Sequence, residues 1–112
     1  MKVLKKSDFL KLFACSKTSK RRKLLTDWAG KEELDALSEI AINALKGNID
    51  LTPKLLSRLK KHRNHLYLLA NKKAINKRKS LIKQHGGFLP WIIPLALETA
   101  STYANFLKEN EF

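Results

Sequence analysis

The sequence predicts an all-α protein, a small bundle of about four to six short helices in which a basic helical region leads through a Gly-Gly hinge to an apolar C-terminal helix. Three observations predict it. Apolar residues recur at helical spacing in several windows, while the alternation expected of strands is nearly absent. Start and stop signals punctuate those windows, among them Thr52-Pro53, Gly47 and Gly86-Gly87. With 112 residues, 44% of them hydrophobic, the chain has room for one modest core and at most one appendage.

Taken in order, Ser7 is placed to cap a short helix reaching about residue 15, with Phe9, Leu12 and Phe13 on one face. Residues 16–19 form a polar break. A second helix, about 20–28, carries Lys20, Arg21, Arg22 and Lys23 in its first turn and turns Leu24, Leu25 and Trp28 inward. Cations in a first turn oppose the helix dipole, so something other than local stability accounts for them. Residues 31–46 carry the clearest helical pattern: Glu32, Glu33 and Asp35 suit the positive N-terminal end, Leu34, Leu37, Ile40, Ala41, Ala44 and Leu45 share a face, and Gly47 is placed as the C-terminal cap.

Thr52 followed by Pro53 opens a helix expected to run unbroken to Ala70, with Leu55, Leu56, Leu59, Leu66, Leu69 and Ala70 on one side. It should pack antiparallel against the preceding helix, because the connection is short. A last basic helix, about 76–84, has only Leu81 and Ile82 as large apolar groups and ends at the glycines. Beyond them Pro90 and Pro94 confine regular helix to a start at Pro94, reaching about Lys108.

Charge divides the chain at the same glycines. Lys and Arg number 23 against 10 Asp and Glu, a formal net charge of +13. Residues 1–87 hold 22 of the cations and 7 of the acids, a net of +15, whereas 88–112 hold 1 and 3, a net of −2. The organisation is therefore a basic helical nucleic-acid-binding region, 1–87, followed by an apolar or amphipathic segment, 88–112. Residues 54–83 contain 11 Lys and Arg and no acid, which in any compact arrangement makes a surface for phosphates. The candidate contacts are Lys60, Lys61, Arg63, Lys72, Lys73, Lys77, Arg78, Lys79 and Lys83, with Lys20, Arg21, Arg22 and Lys23 as a second patch. Tyr67 is the one aromatic residue among the cations of 54–83, so a stacking platform for single strands is lacking. The connection near residues 47–52 exceeds the turn of a helix-turn-helix. Both facts favour binding to the duplex backbone with little base readout.

Catalysis finds no foothold. Ser/His/Asp and Cys/His arrangements lack local support, and no Gly-rich phosphate loop precedes Lys-Ser or Lys-Thr. Glu32 and Glu33 are explained by the helix N-terminus, and His62 and His65 by the polar face. A non-enzymatic protein without metal or cofactor is expected. The lone Cys15 and the absence of an uninterrupted apolar leader suit a reducing, intracellular setting, and the apolar run 88–97 has about half the length needed to cross a bilayer. The Lys20 to Lys23 run also has the form of a nuclear import signal.

The stretch GGFLPWIIPL, residues 86–95, resembles the end of the adenovirus core protein X family, precursors of the DNA-condensing mu peptide. The approach NKRKSLIKQHGGFLP is similar to small proteins of Maverick/Polinton elements and adintoviruses. The resemblance implies a core protein of a virion or transposon particle that neutralises and compacts double-stranded DNA in the virion core and host nucleus. It further implies capsid or other core proteins as partners of 88–112, and a viral cysteine protease that cuts after the second glycine, making Gly86, Gly87 and Phe88 a proteolytic site. That protease prefers Met, Ile or Leu four residues before the cut, where this chain has Gln84. The alternative expectation is a membrane-active or capsid-anchoring protein acting through 88–112, and a third is an RNA- or ribosome-associated protein.

Overall fold

Side-chain hydrogen bonds set three of the helix starts, whereas the helix that opens at Ser7 has Lys6 at its N-cap and no side-chain cap, so Ser7 does not fill the capping role expected of it. The computed structural model describes residues 2–16, 18–72 and 74–109, with side chains over 3–16, 18–72 and 74–100. These residues are all-α, without a strand: α1 Lys2–Lys5, α2 Ser7–Ala14, α3 Ser19–Trp28, α4 Lys31–Leu45, α5 Pro53–Lys60, α6 Arg63–Ala70, α7 Ile75–His85, a 3-10 turn Gly86–Phe88, and α8 Leu89–Glu109. Thr18 caps α3 by accepting from the Arg21 N–H, and Thr52 caps α5 by accepting from Leu55 ahead of Pro53. At α4 the Glu33 side chain accepts from the Gly30 N–H at 3.0 Å, and Lys6 lies 3.2 Å from both Glu32 and Glu33. The end of α4 is a Schellman motif, in which Gly47 at φ 73° lets Asn48 N–H reach the Asn43 carbonyl at 2.9 Å.

The core lies where α4 meets α6 and where α1 and α2 meet α8. Leu34, Leu37, Ile40 and Ala41 of α4 are fully buried, and Leu66 and Leu69 of α6 are 1% exposed. Phe9, Leu10 and Phe13 of α2 are buried, as are Leu89, Ile92 and Ile93 of α8. Each such large side chain contributes roughly 1.5–3 kcal/mol when removed from water, so these faces decide the packing.

Four further expectations are corrected. The helix expected across 53–70 breaks at Lys61 and His62, where His62 N–H bonds back only three residues, to the Leu59 carbonyl at 2.9 Å. Between Leu59 and Leu66 every residue is polar or charged, so that turn has no aliphatic side chain to bury and tightens into an elbow. Secondly, α8 starts at Leu89 and carries Pro94 within it. An interior proline costs about 3 kcal/mol, but burying Leu89, Ile92 and Ile93 returns roughly 5–9 kcal/mol, and Pro94 itself points outward. Thirdly, Leu24 and Trp28, expected inside, are 62% and 70% exposed, and Leu12 is also exposed. The partner of α3 is the polar α7, which offers little apolar surface to cover. Fourthly, Asp35 is no dipole-facing surface acid but is buried, with Oδ1 2.7 Å from Arg78 Nη1.

That last contact joins α7 to α4, and Ser38 Oγ accepts from the same Arg78 nitrogen at 3.1 Å. Asp35→Ala is expected to cost about 3–5 kcal/mol in urea unfolding, because it strands a buried charge. Asp35→Leu combined with Arg78→Met should recover most of that loss; a double variant as unstable as the single one would contradict the assignment.

Candidate nucleic-acid interface

The carboxylate-free segment folds into α5, α6 and α7, and its cations are exposed along most of its length. Lys54, Arg58, Lys60, Lys61, Arg63, Lys72 and Lys77 all face solvent. The α5–α6 elbow brings Lys60, Lys61 and Arg63 to one corner, where the Arg63 guanidinium lies 5.5 Å above the Tyr67 ring and donates to Tyr67 Oη at 3.3 Å. That hydrogen bond raises the Arg63 pKa and fixes the direction of its fork.

Arg78 does not belong to this surface. It is 3% exposed and committed to Asp35 and Ser38, so its expected role as a phosphate contact is withdrawn. The helical period explains the exchange: in α7 the cations at 77, 78 and 79 point in successive directions, and one of them must face α4. Lys79 and Lys83 are half-buried and both reach back to α3, Lys79 donating to the Asp27 carbonyl at 2.8 Å and Lys83 pairing with the Asp27 carboxylate. Lys73 lies outside the described residues.

The second patch meets the first across the α3–α7 contact. Lys20, Arg21 and Lys23 are exposed, whereas Arg22 is half-buried and donates to the Ser16 carbonyl at 3.4 Å. Arg22 turns into a cleft of about 410 Å³ between α3, α5, α7 and the start of α8, which is also lined by Arg58, His62, Lys83, His85 and Trp91. Arg58 sits 5.0 Å above the Trp91 ring. Arg58 counts toward the basic run in the sequence, but nothing there pairs it with Trp91, 33 positions away across three helix junctions.

All three histidines collect beside this cleft. His62 stacks on Phe88 with centroids 4.9 Å apart, and His65 stacks on His85 at 4.3 Å. No metal-binding group of three His, Cys, Asp or Glu exists among the described residues. Burial first, then the neighbouring His65, Arg58 and Lys61, pushes the His62 pKa below its usual 6.5. Because the folded state holds this imidazole neutral, the unfolded chain takes up its proton first as pH falls below 6.5. Stability is therefore expected to be greater at neutral pH and to decline as pH drops through the window just below that value. His62→Gln should flatten this decline in denaturant titrations at successive pH values; an unchanged slope would count against it.

The Gly86-Gly87-Phe88 segment is a 3-10 turn rather than an open hinge. Gly86 and Phe88 are buried, Gly87 is exposed, and neither glycine adopts a left-handed conformation. A Cβ on Gly86 would stand 3.0 Å from Ile82 Cγ2, while one on Gly87 meets nothing. The Gly87–Phe88 bond thus lies in folded backbone beside a buried side chain, and cutting it requires this turn to open first. Gly86→Ala is expected to lower the thermal midpoint, and Gly87→Ala to leave it unchanged or raise stability by about 0.4–1 kcal/mol through a stiffer unfolded chain. Equal losses at both positions would restore the flexible hinge.

No helix among the described residues is long and apolar enough to cross a bilayer. In comparisons with known proteins, the chain matches no family model, no curated protein and no solved structure.

Proposed function

We propose that this protein is a non-enzymatic binder of double-stranded DNA that engages the phosphate backbone with little sequence preference and compacts it, as a core or packaging protein of an adenovirus-like or Polinton-type particle. The observation that carries the proposal is the exposed row of Lys54, Arg58, Lys60, Lys61, Arg63, Lys72 and Lys77 on α5, α6 and α7, with no acid from 54 to 83. Lys20, Arg21 and Lys23 extend it from α3. Such a surface neutralises phosphates and releases counterions, which needs neither a helix seated in a groove nor base-specific side chains. The resemblance of residues 86–95 to the adenovirus core proteins supplies the virion core and nuclear setting.

The membrane-active or capsid-anchoring alternative is less favoured. Phe88, Leu89, Ile92, Ile93 and Ala96 are buried against the bundle, and no large apolar side chain between 88 and 100 is exposed. Residues 88–100 would have to leave the core before meeting lipid or capsid.

Electrophoretic mobility shifts with unrelated duplexes across a salt series test the proposal. The logarithm of affinity should fall against log salt with a slope of about −5, corresponding to half of the cations in 54–83. Replacing Lys60, Lys61 and Arg63 together by Gln should make that slope shallower by about 2–3. Salt-insensitive binding, or affinity confined to one sequence, would sink it; equal or stronger competition by duplex RNA would shift the function to RNA.

A further inference from the structure

Beyond a distributed backbone surface, the cleft between α3, α5 and α7 has the attributes of a discrete anion site. Arg22, Arg58 and Lys83 come to it from three different helices, His62 and His85 stand beside them, and no Asp or Glu lines it among the described residues. Two of the cations are held in place. Arg58 is braced over Trp91 at 5.0 Å, and Arg22 spends one donor on the Ser16 carbonyl at 3.4 Å. The Asp27 carboxylate, outside the lining, bonds Lys83 and offsets one charge, leaving an excess of about two.

We infer that this cleft binds a phosphate monoester, the group found at the end of a nucleic-acid strand and on a free mononucleotide. Charge and the number of terminal oxygens select this ligand over a backbone diester. The volume of about 410 Å³ suits a small ligand. A monoester carries about −1.5 to −2 charge at neutral pH and three terminal oxygens, which match two guanidinium forks and an ammonium; a diester offers one charge and two such oxygens. The exposed Gly87 forms part of the rim, so no side chain obstructs the entrance there.

Calorimetry with adenosine 5′-monophosphate, and with adenosine as the comparison, tests the assignment on the full chain. Saturable one-to-one binding of the monophosphate at millimolar concentrations, absent for adenosine, is expected. Arg22→Gln with Arg58→Gln should weaken it by at least about tenfold, two charge-assisted contacts being removed. Lys11→Gln with Lys46→Gln removes equal charge elsewhere and should change it less than about twofold; equal losses in both pairs would reveal general electrostatics and overturn the site. On the wild-type chain, the Gly86 and Gly87 amides and the His62 ring should shift in NMR titrations. Shifts confined to other regions would overturn it too, whatever the variants' folding.

Oligonucleotides with 5′-phosphate or 5′-hydroxyl ends separate the two sources. Preference for the phosphorylated end, competed by the monophosphate, assigns the site to strand ends; monophosphate binding without end preference assigns it to free nucleotide, and either result upholds the site. The outcome is separable from the duplex proposal. A duplex shift that survives without monophosphate binding refutes the cleft alone, and monophosphate binding without a duplex shift refutes only the backbone surface.

Discussion

The seating of α7, and with it the placement of the basic surface, depends on one buried ion pair. α7 is a helix of cations with little apolar surface, and hydrophobic burial alone gives it slight reason to dock. Arg78 supplies the reason by inserting between α7 and α4 to meet Asp35 at 2.7 Å and Ser38 at 3.1 Å. The contact is not cheap, since both charges leave water and Arg78 Nε is buried without a hydrogen-bond partner. Its value is positional. A single Asp on α4 fixes the rotation of α7, and that rotation determines which way Lys77, Lys79 and Lys83 point.

A second acid completes the arrangement from the other side. Asp27 near the end of α3 engages α7 twice, its carbonyl accepting from Lys79 and its carboxylate pairing with Lys83. Pairs of this exposure are each worth only up to about 1 kcal/mol, so they align α3 rather than hold it. The alignment has a consequence for the four-cation first turn of α3. Lys20, Arg21 and Lys23 remain in solvent while Arg22 is turned into the cleft beside Lys83 and Arg58. Two basic stretches separated by 30 residues and more in sequence are thus brought together where α3 packs on α7.

What the sequence could show follows the same division. Capping at Thr52, the glycine end of α4 and the apolar face of α4 are local signals, read by period and punctuation, and they stand in the structure nearly as they appear in the chain, whereas the expected face of α2 keeps Phe9 and Phe13 but loses Leu12 to solvent. The break between α5 and α6 was written there too, as six polar residues between Leu59 and Leu66, but a periodic pattern that resumes in phase disguises it. Arg78 was illegible for a different reason. Nothing distinguishes it from Lys77 and Lys79 until α4 is placed, since the distinction is made by Asp35, 43 residues away. The start of α8 at Leu89 rather than Pro94 is not legible because proline rules are local, whereas the burial of Leu89, Ile92 and Ile93 that overrides them is tertiary. The cleft is similarly a product of packing: Arg58 meets Trp91 only after the Gly86–Phe88 turn has folded α8 back.

The unbalanced charge also bears on stability. From 54 to 83 the chain accumulates 11 cations with no acid among them, and Asp35 and Asp27 answer Arg78, Lys79 and Lys83. The exposed Lys54, Arg58, Lys60, Lys61, Arg63, Lys72 and Lys77 repel one another at neutral pH, most strongly at the elbow where Lys60, Lys61 and Arg63 converge beside a histidine kept neutral. A partner that supplies phosphates removes this repulsion, and any ligand that binds the folded chain alone stabilises it by mass action. On the proposed function, binding and folding would be coupled by sign: Asp27 and Asp35 lie where a basic helix is anchored, and acids are absent from 54 to 83, where a polyanion would take their place.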